Sequence, residues 1–185
     1  VYKRQVLELA EKWNYKPNPI SLSLKQSQSM FIGVIVPEFV NSFFSEVIMG
    51  IQSVLNPEGY HVLIMQSNES HENELRNMKA LEAQMVDGFL ISVTQESENT
   101  SYFSDLIWNN FPVVFFNRIC AELSAPHVVI DDYKWAFAAV EHLIQQGCRR
   151  IVHLAGSEDL LIAQKRKNGY MDALRKYGLL VEESL

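Results

Sequence analysis

The chain has 185 residues, 48% of them hydrophobic, with a formal net charge of −6, a length that buries one substantial core or two small ones. No apolar run reaches the roughly 18 residues of a membrane-spanning helix, and residues 1–30 carry neither the apolar stretch nor the cleavage site of an export signal. Cys120 and Cys148 lie far apart, outside any C-x-x-C arrangement, and read as two reduced, packed thiols of a cytoplasmic protein.

The charge is unevenly placed. Residues 1–30 hold Lys3, Arg4, Lys12, Lys16 and Lys25 against Glu8 and Glu11, so a basic arm precedes an acidic body, a pattern that suits an arm touching an anionic polymer. Val1 is not an initiator methionine and helical periodicity is already running at residue 4, so the chain reads as a fragment. Residues 3–13 (KRQVLELAEKW) predict an amphipathic helix with Val6, Leu7, Leu9, Ala10 and Trp13 inward, stopped at Asn14. Tyr15 to Pro19 reads as an extended turn, Ile20 to Lys25 is ambiguous between a helical turn and a strand, and Gln26 to Ser29 is a polar linker at a domain boundary.

Strand and helix then alternate. Phe31 to Val36 (FIGVIV) is continuously apolar, as a parallel strand covered on both faces must be, and Pro37 ends it. After the turn Glu38 to Ser42, with Asn41 or Ser42 as cap, Phe43, Val47, Ile48, Ile51 and Leu55 recur at helical spacing. Further strands are predicted at Tyr60 to Gln66, Gly88 to Ser92, Val113 to Asn117, His127 to Asp131 and Ile151 to Ala155. Helices are predicted at His71 to Gln84 (burying Leu75, Met78, Leu81 and Met85), Tyr102 to Asn109, Tyr133 to Gln146 and Leu161 to Tyr177, the last two stopped by Gly147 and Gly178. This alternation predicts an α/β fold with doubly wound parallel sheets.

Ligands of such sheets bind beyond the carboxyl ends of the strands. Asn41, Phe43 and Phe44 follow the first strand, Asn117 and Arg118 the fourth, Asp131 and Asp132 the fifth, and Arg166 lies one helical turn into the last helix. A polar residue at such a place can equally be a helix cap, and of two adjacent phenylalanines one can be core while the other packs on a ligand ring. Nucleotide-binding glycine loops, a nucleophile elbow and an H-E-x-x-H motif are missing, and His61, His71, His127, His142 and His153 show no ligand spacing. No catalytic residue, metal or cofactor is expected, and a ligand-binding fold without chemical apparatus points to sensing.

Taken together, VLELAEKWNYKPNP followed by SLK, IGVIVPEFVNSFFSEVIMGI, the EGY before the second strand, VDGFLIS, FPVVFFNR, HVVIDD, HLIQQGCRRI and LAGSEDLLIAQKRKNGYMDAL resemble, in order and spacing, the lactose-repressor/galactose-repressor transcription factors. The resemblance implies a helix-turn-helix headpiece, a hinge helix and a two-subdomain core like periplasmic sugar-binding proteins. It implies a homodimer whose affinity for operator DNA changes when a small effector, a sugar or sugar derivative, binds between the subdomains. Lys3 to Trp13 then matches the third headpiece helix and Ile20 to Lys25 the hinge helix. Tyr15, Asn18, Ser23, Leu24 and Lys25 are the implied DNA contacts, with Leu24 as the minor-groove wedge and Lys25 on a phosphate. The implied effector contacts are Asn41, Phe43, Phe44, Asn117, Arg118, Asp131, Leu160 and Arg166. Asn117 departs from the aspartate common in the family, and Leu160 and Ile162 stand where relatives often carry polar contacts.

The expected organisation is a headpiece remnant and hinge over residues 1–29, an N-terminal core subdomain over 30–130, and the start of a C-terminal one over 131–185. The expected function is effector-responsive transcription regulation in the cytoplasm, with the hinge disordered without DNA. Alternative readings are a free-standing solute-binding protein for sugar uptake and a small α/β enzyme.

Overall fold

The structure, a computed structural model, describes residues 2–16, 28–40, 42–95 and 99–181. The hinge segment 20–25, Asn18 and the candidate cap Asn41 lie outside the described residues.

Five parallel strands form one sheet in the order β2-β1-β3-β4-β5: β1 Phe31–Val36, β2 His61–Gln66, β3 Gly88–Ile91, β4 Val113–Phe116 and β5 His127–Val128. The helices are α1 Tyr2–Lys12, α2 Ser42–Leu55, α3 His71–Ala83, α4 Thr100–Trp108, α5 Asp132–Gln145 and α6 Leu161–Lys176. β1 is internal, with Ile35 paired to Met65 on one side and Ile91 on the other, which is why its sequence shows no polar alternation. Successive strand residues point to opposite faces. Val34, Val36 and Phe116 pack with Phe44 and Ile48 of α2. Ile35, Phe89, Ile91 and Phe115 pack with Met78 and Leu81 of α3 and Phe103 and Leu106 of α4. Helices on both faces are the doubly wound arrangement predicted above. A Cβ on Gly33 would come within 2.8 Å of the Phe89 ring and 2.9 Å of Leu81, so any larger residue there must displace one or both of these core side chains.

The chain enters the sheet through Asp87, which accepts from Ser29 N–H (2.7 Å), the Ser29 hydroxyl (3.0 Å) and Met30 N–H (2.9 Å). Downstream, α5 and α6 pair through Val140, Ile144, Ala173 and Leu174. Their backbones meet at Gly169, where an added Cβ would lie 2.4 Å from the Tyr133 carbonyl.

Four expectations are corrected. The α1 helix forms, and Asn14 ends it at φ 49 with Tyr15 N–H donating to Ala10, but Val6, Leu7, Leu9 and Trp13 are exposed rather than inward. An apolar stripe is buried only by a second surface, and the described residues supply none to α1. Met85 is not core: it takes φ 57 after α3, stays 50% exposed, and turns Val86 into the core instead. The fifth strand stops at Val128, because Asn117 adopts φ 57 and its N–H to the Val128 carbonyl (3.0 Å) is the last rung. Ile151 to Ala155 forms no strand. A strand needs a neighbouring ladder and none of the described residues offers one. The Ile151 carbonyl accepts from Tyr170 Oη at 2.8 Å, and Leu154 is 93% exposed.

Candidate ligand cleft

The carboxyl ends of β1, β3, β4 and β5 face the segment from His153 to Arg166 across a cleft of two adjoining hollows. The larger, about 600 Å³, is walled by Phe43, Phe44, Val47 and Phe116 on the sheet side and by Leu154, Leu160, Ile162 and Arg166 opposite. The smaller, about 280 Å³, lies over Thr94, Gln95, Thr100 and Cys120 and reaches Asp159 and Lys165. Asn117, Arg118, Leu160 and Ile162 line both.

Local structure explains the placement. Phe44 is 2% exposed and fixes α2 to the sheet, while Phe43 is 44% exposed at the cleft wall, its ring edge-on to Phe44 at 5.2 Å. The left-handed turn at Asn117 lifts the chain off the sheet and sets Arg118 at the junction of the hollows. Arg118 Nη1 donates to both Glu69 carboxylate oxygens, at 2.6 and 2.9 Å. Glu69 also accepts from Gln95 N–H (2.9 Å), so one carboxylate holds both the β4 and β3 loops. Beneath them the fully buried Glu74 accepts from Thr94 N–H and from Asn99 Nδ2, each at 2.8 Å. Arg166 Nε donates to Asp132 Oδ1 at 2.7 Å, and Asp132 is 4% exposed at the start of α5. Burial, opposed by a Thr100 hydrogen bond and reinforced by Glu74 and Glu122, pushes the Cys120 thiol up, so it stands as a neutral wall rather than a nucleophile.

Of the residues read from the sequence, the cleft brings together Phe43, Phe44, Asn117, Arg118, Leu160 and Arg166. Asp131 does not line it: its side chain caps α5, accepting from Lys134 N–H at 3.0 Å. The neighbouring Asp132 is the one that reaches the cleft. Asn41 lies outside the described residues, as do Asn18, Ser23, Leu24 and Lys25, and Tyr15 is exposed just after α1. Glu69 and Thr94 carried no sequence signal. Glu69 is brought in by paired left-handed residues, Asn68 at φ 55 and Glu69 at φ 54. Among the described residues no group of His, Cys, Asp and Glu could hold a metal ion, and no helix is long and apolar enough to cross a membrane.

The repressor CytR of Escherichia coli K12, an HTH-type transcriptional repressor, is 33% identical over 180 residues, covering 97% of this chain and 52% of its own length. The chain thus spans about half the length of the curated relatives it matches. A solved structure of a candidate ribose operon repressor from Burkholderia thailandensis superposes with a TM-score of 0.78 at 29% identity, covering 84% of this chain and 59% of that one. A periplasmic binding protein/LacI transcriptional regulator from Alkaliphilus metalliredigens, solved with D-xylulofuranose, gives 0.74 at 25% identity, covering 83% and 55%. Residues 29–185 match the family described as periplasmic binding proteins and sugar binding domain of LacI family, and the chain belongs to it.

Proposed function

We propose that this chain is part of an effector-responsive regulator of transcription whose cleft takes a sugar or related small molecule. The observation that carries the reading is the two-sided cleft. The sheet contributes Phe43, Asn117 and Arg118 to it, the segment before and into α6 contributes Leu160, Ile162 and Arg166, and the Asp132–Arg166 ion pair ties α5 to α6 beside it. A ligand touching both sides favours the arrangement in which they are close, and that differential affinity is what shifts a conformational equilibrium. Matched relatives are named as a transcriptional repressor and as ribose operon repressors, which favours regulation over solute uptake or catalysis. In this reading residues 30–130 are the first core subdomain, 131–185 begin the second, and 20–25 act as hinge. The full-length protein works in the cytoplasm as a homodimer on operator DNA.

The test uses the full-length protein to select a duplex from a random library, then titrates that duplex by fluorescence anisotropy with and without free sugars. A regulator enriches one duplex, and a sugar that binds changes the affinity by about 5- to 150-fold. Failure to enrich any duplex, or an affinity untouched by every sugar that binds, contradicts the proposal.

A further inference from the structure

We propose that the effector of this cleft is an uncharged, polyhydroxylated molecule, a free sugar or glycoside, and that its phosphorylated counterpart is rejected. The inference rests on reading the cleft as the effector site. Its basis is how the cleft's cations are already committed. Arg118 Nη1 is held by both oxygens of Glu69, and Arg166 by Asp132, a carboxylate too deeply buried to exchange its partner for water. The other lysine or arginine lining the two hollows, Lys165, shares the smaller one with Asp159 and Glu122, while Glu38 faces the larger. The N-terminus of α6, which would otherwise attract an anion, is preceded by Asp159, the neighbouring Glu158 being already paired with Lys167 at 2.7 Å. A phosphate monoester brings a charge of about −1.5 to −2. Here it would shed its hydration among groups whose positive charge is matched or outnumbered by carboxylates.

Hydroxyl groups meet the opposite situation. Uncharged polar side chains, Gln95, Thr100 and Asn117, line the smaller hollow, and each can both donate and accept, as a sugar hydroxyl does. The apolar face of the ring then packs on Phe43, Leu160 and Ile162 in the larger hollow.

Calorimetric titration of the full-length protein with matched pairs tests this: ribose and ribose 5-phosphate, fructose and fructose 1-phosphate, glucose and glucose 6-phosphate. The expected result is binding of an uncharged member, with its phosphate ester at least about tenfold weaker. Glu69→Gln, which releases Arg118, narrows that gap. A phosphate ester that binds as tightly as its free sugar or tighter, and is lost on Ile162→Trp, overturns the inference and leaves the cleft reading standing. Binding that Ile162→Trp leaves untouched overturns both. Silence from every member overturns the assignment to sugars.

Discussion

Two arginines define the cleft at the scale of single residues, and each is defined by its carboxylate. Asp132 is buried at the head of α5, where the helix N-terminus favours its charge, and Arg166 supplies its ion pair. Arg166→Ala leaves that carboxylate buried without its guanidinium. The expected cost is about 1–3 kcal/mol, below the range for a fully buried pair because Arg166 is itself half exposed. Urea unfolding of the full-length protein reads it as a lower midpoint at unchanged slope; an unchanged midpoint would mean the pair contributes nothing. The sequence exposed Arg166 through its spacing into the last helix, and Arg118 through its place after a strand. It did not expose their partners. Glu69 lies 49 positions from Arg118 and reaches it only through two left-handed residues, a conformation no pattern of polar and apolar residues encodes. Asp131 and Asp132 are the same residue type side by side, and only helix geometry decides that the first caps while the second faces the cleft.

Whole elements were legible where their signal is local. β1 to β4 stand within a residue or so of their predicted spans, because a strand covered on both faces must be apolar throughout. The helix stops at Asn14, Gly147 and Gly178 all show positive φ. What failed depends on neighbours. Among the described residues, Ile151 to Ala155 has the composition of a strand but no ladder, and the apolar stripe of α1 has no surface to cover it. The contact between α5 and α6 was likewise invisible, since Gly169 sits within a helical pattern as an ordinary weak residue. Its role is close approach: a methyl group there would meet the Tyr133 carbonyl at 2.4 Å and the Phe137 amide nitrogen at 3.0 Å. Gly169→Ala is expected to push the helices apart and cost about 1–3 kcal/mol despite alanine's better helix propensity. Thermal unfolding checks the sign, and a stabilised variant would show that the helices separate freely.

Across the whole molecule, the family was legible because its signature is spread over many short segments in a fixed order, each tied to a strand end or a helix start. The five-stranded sheet, its covering helices and the cleft at the strand ends follow from that order. The charge balance of the cleft does not, because it depends on which side chains the fold brings into pairs. In the function proposed above, the small molecule acts in this cleft. The most direct test is thermal unfolding of the full-length protein and of its Ile162→Trp variant, whose indole fills the larger hollow, against a panel of free sugars. A ligand at a hundredfold excess over its dissociation constant stabilises the folded state by about 2.7 kcal/mol. That shift is expected in the parent protein and is lost in the variant; an equal shift in both would place the ligand outside the cleft.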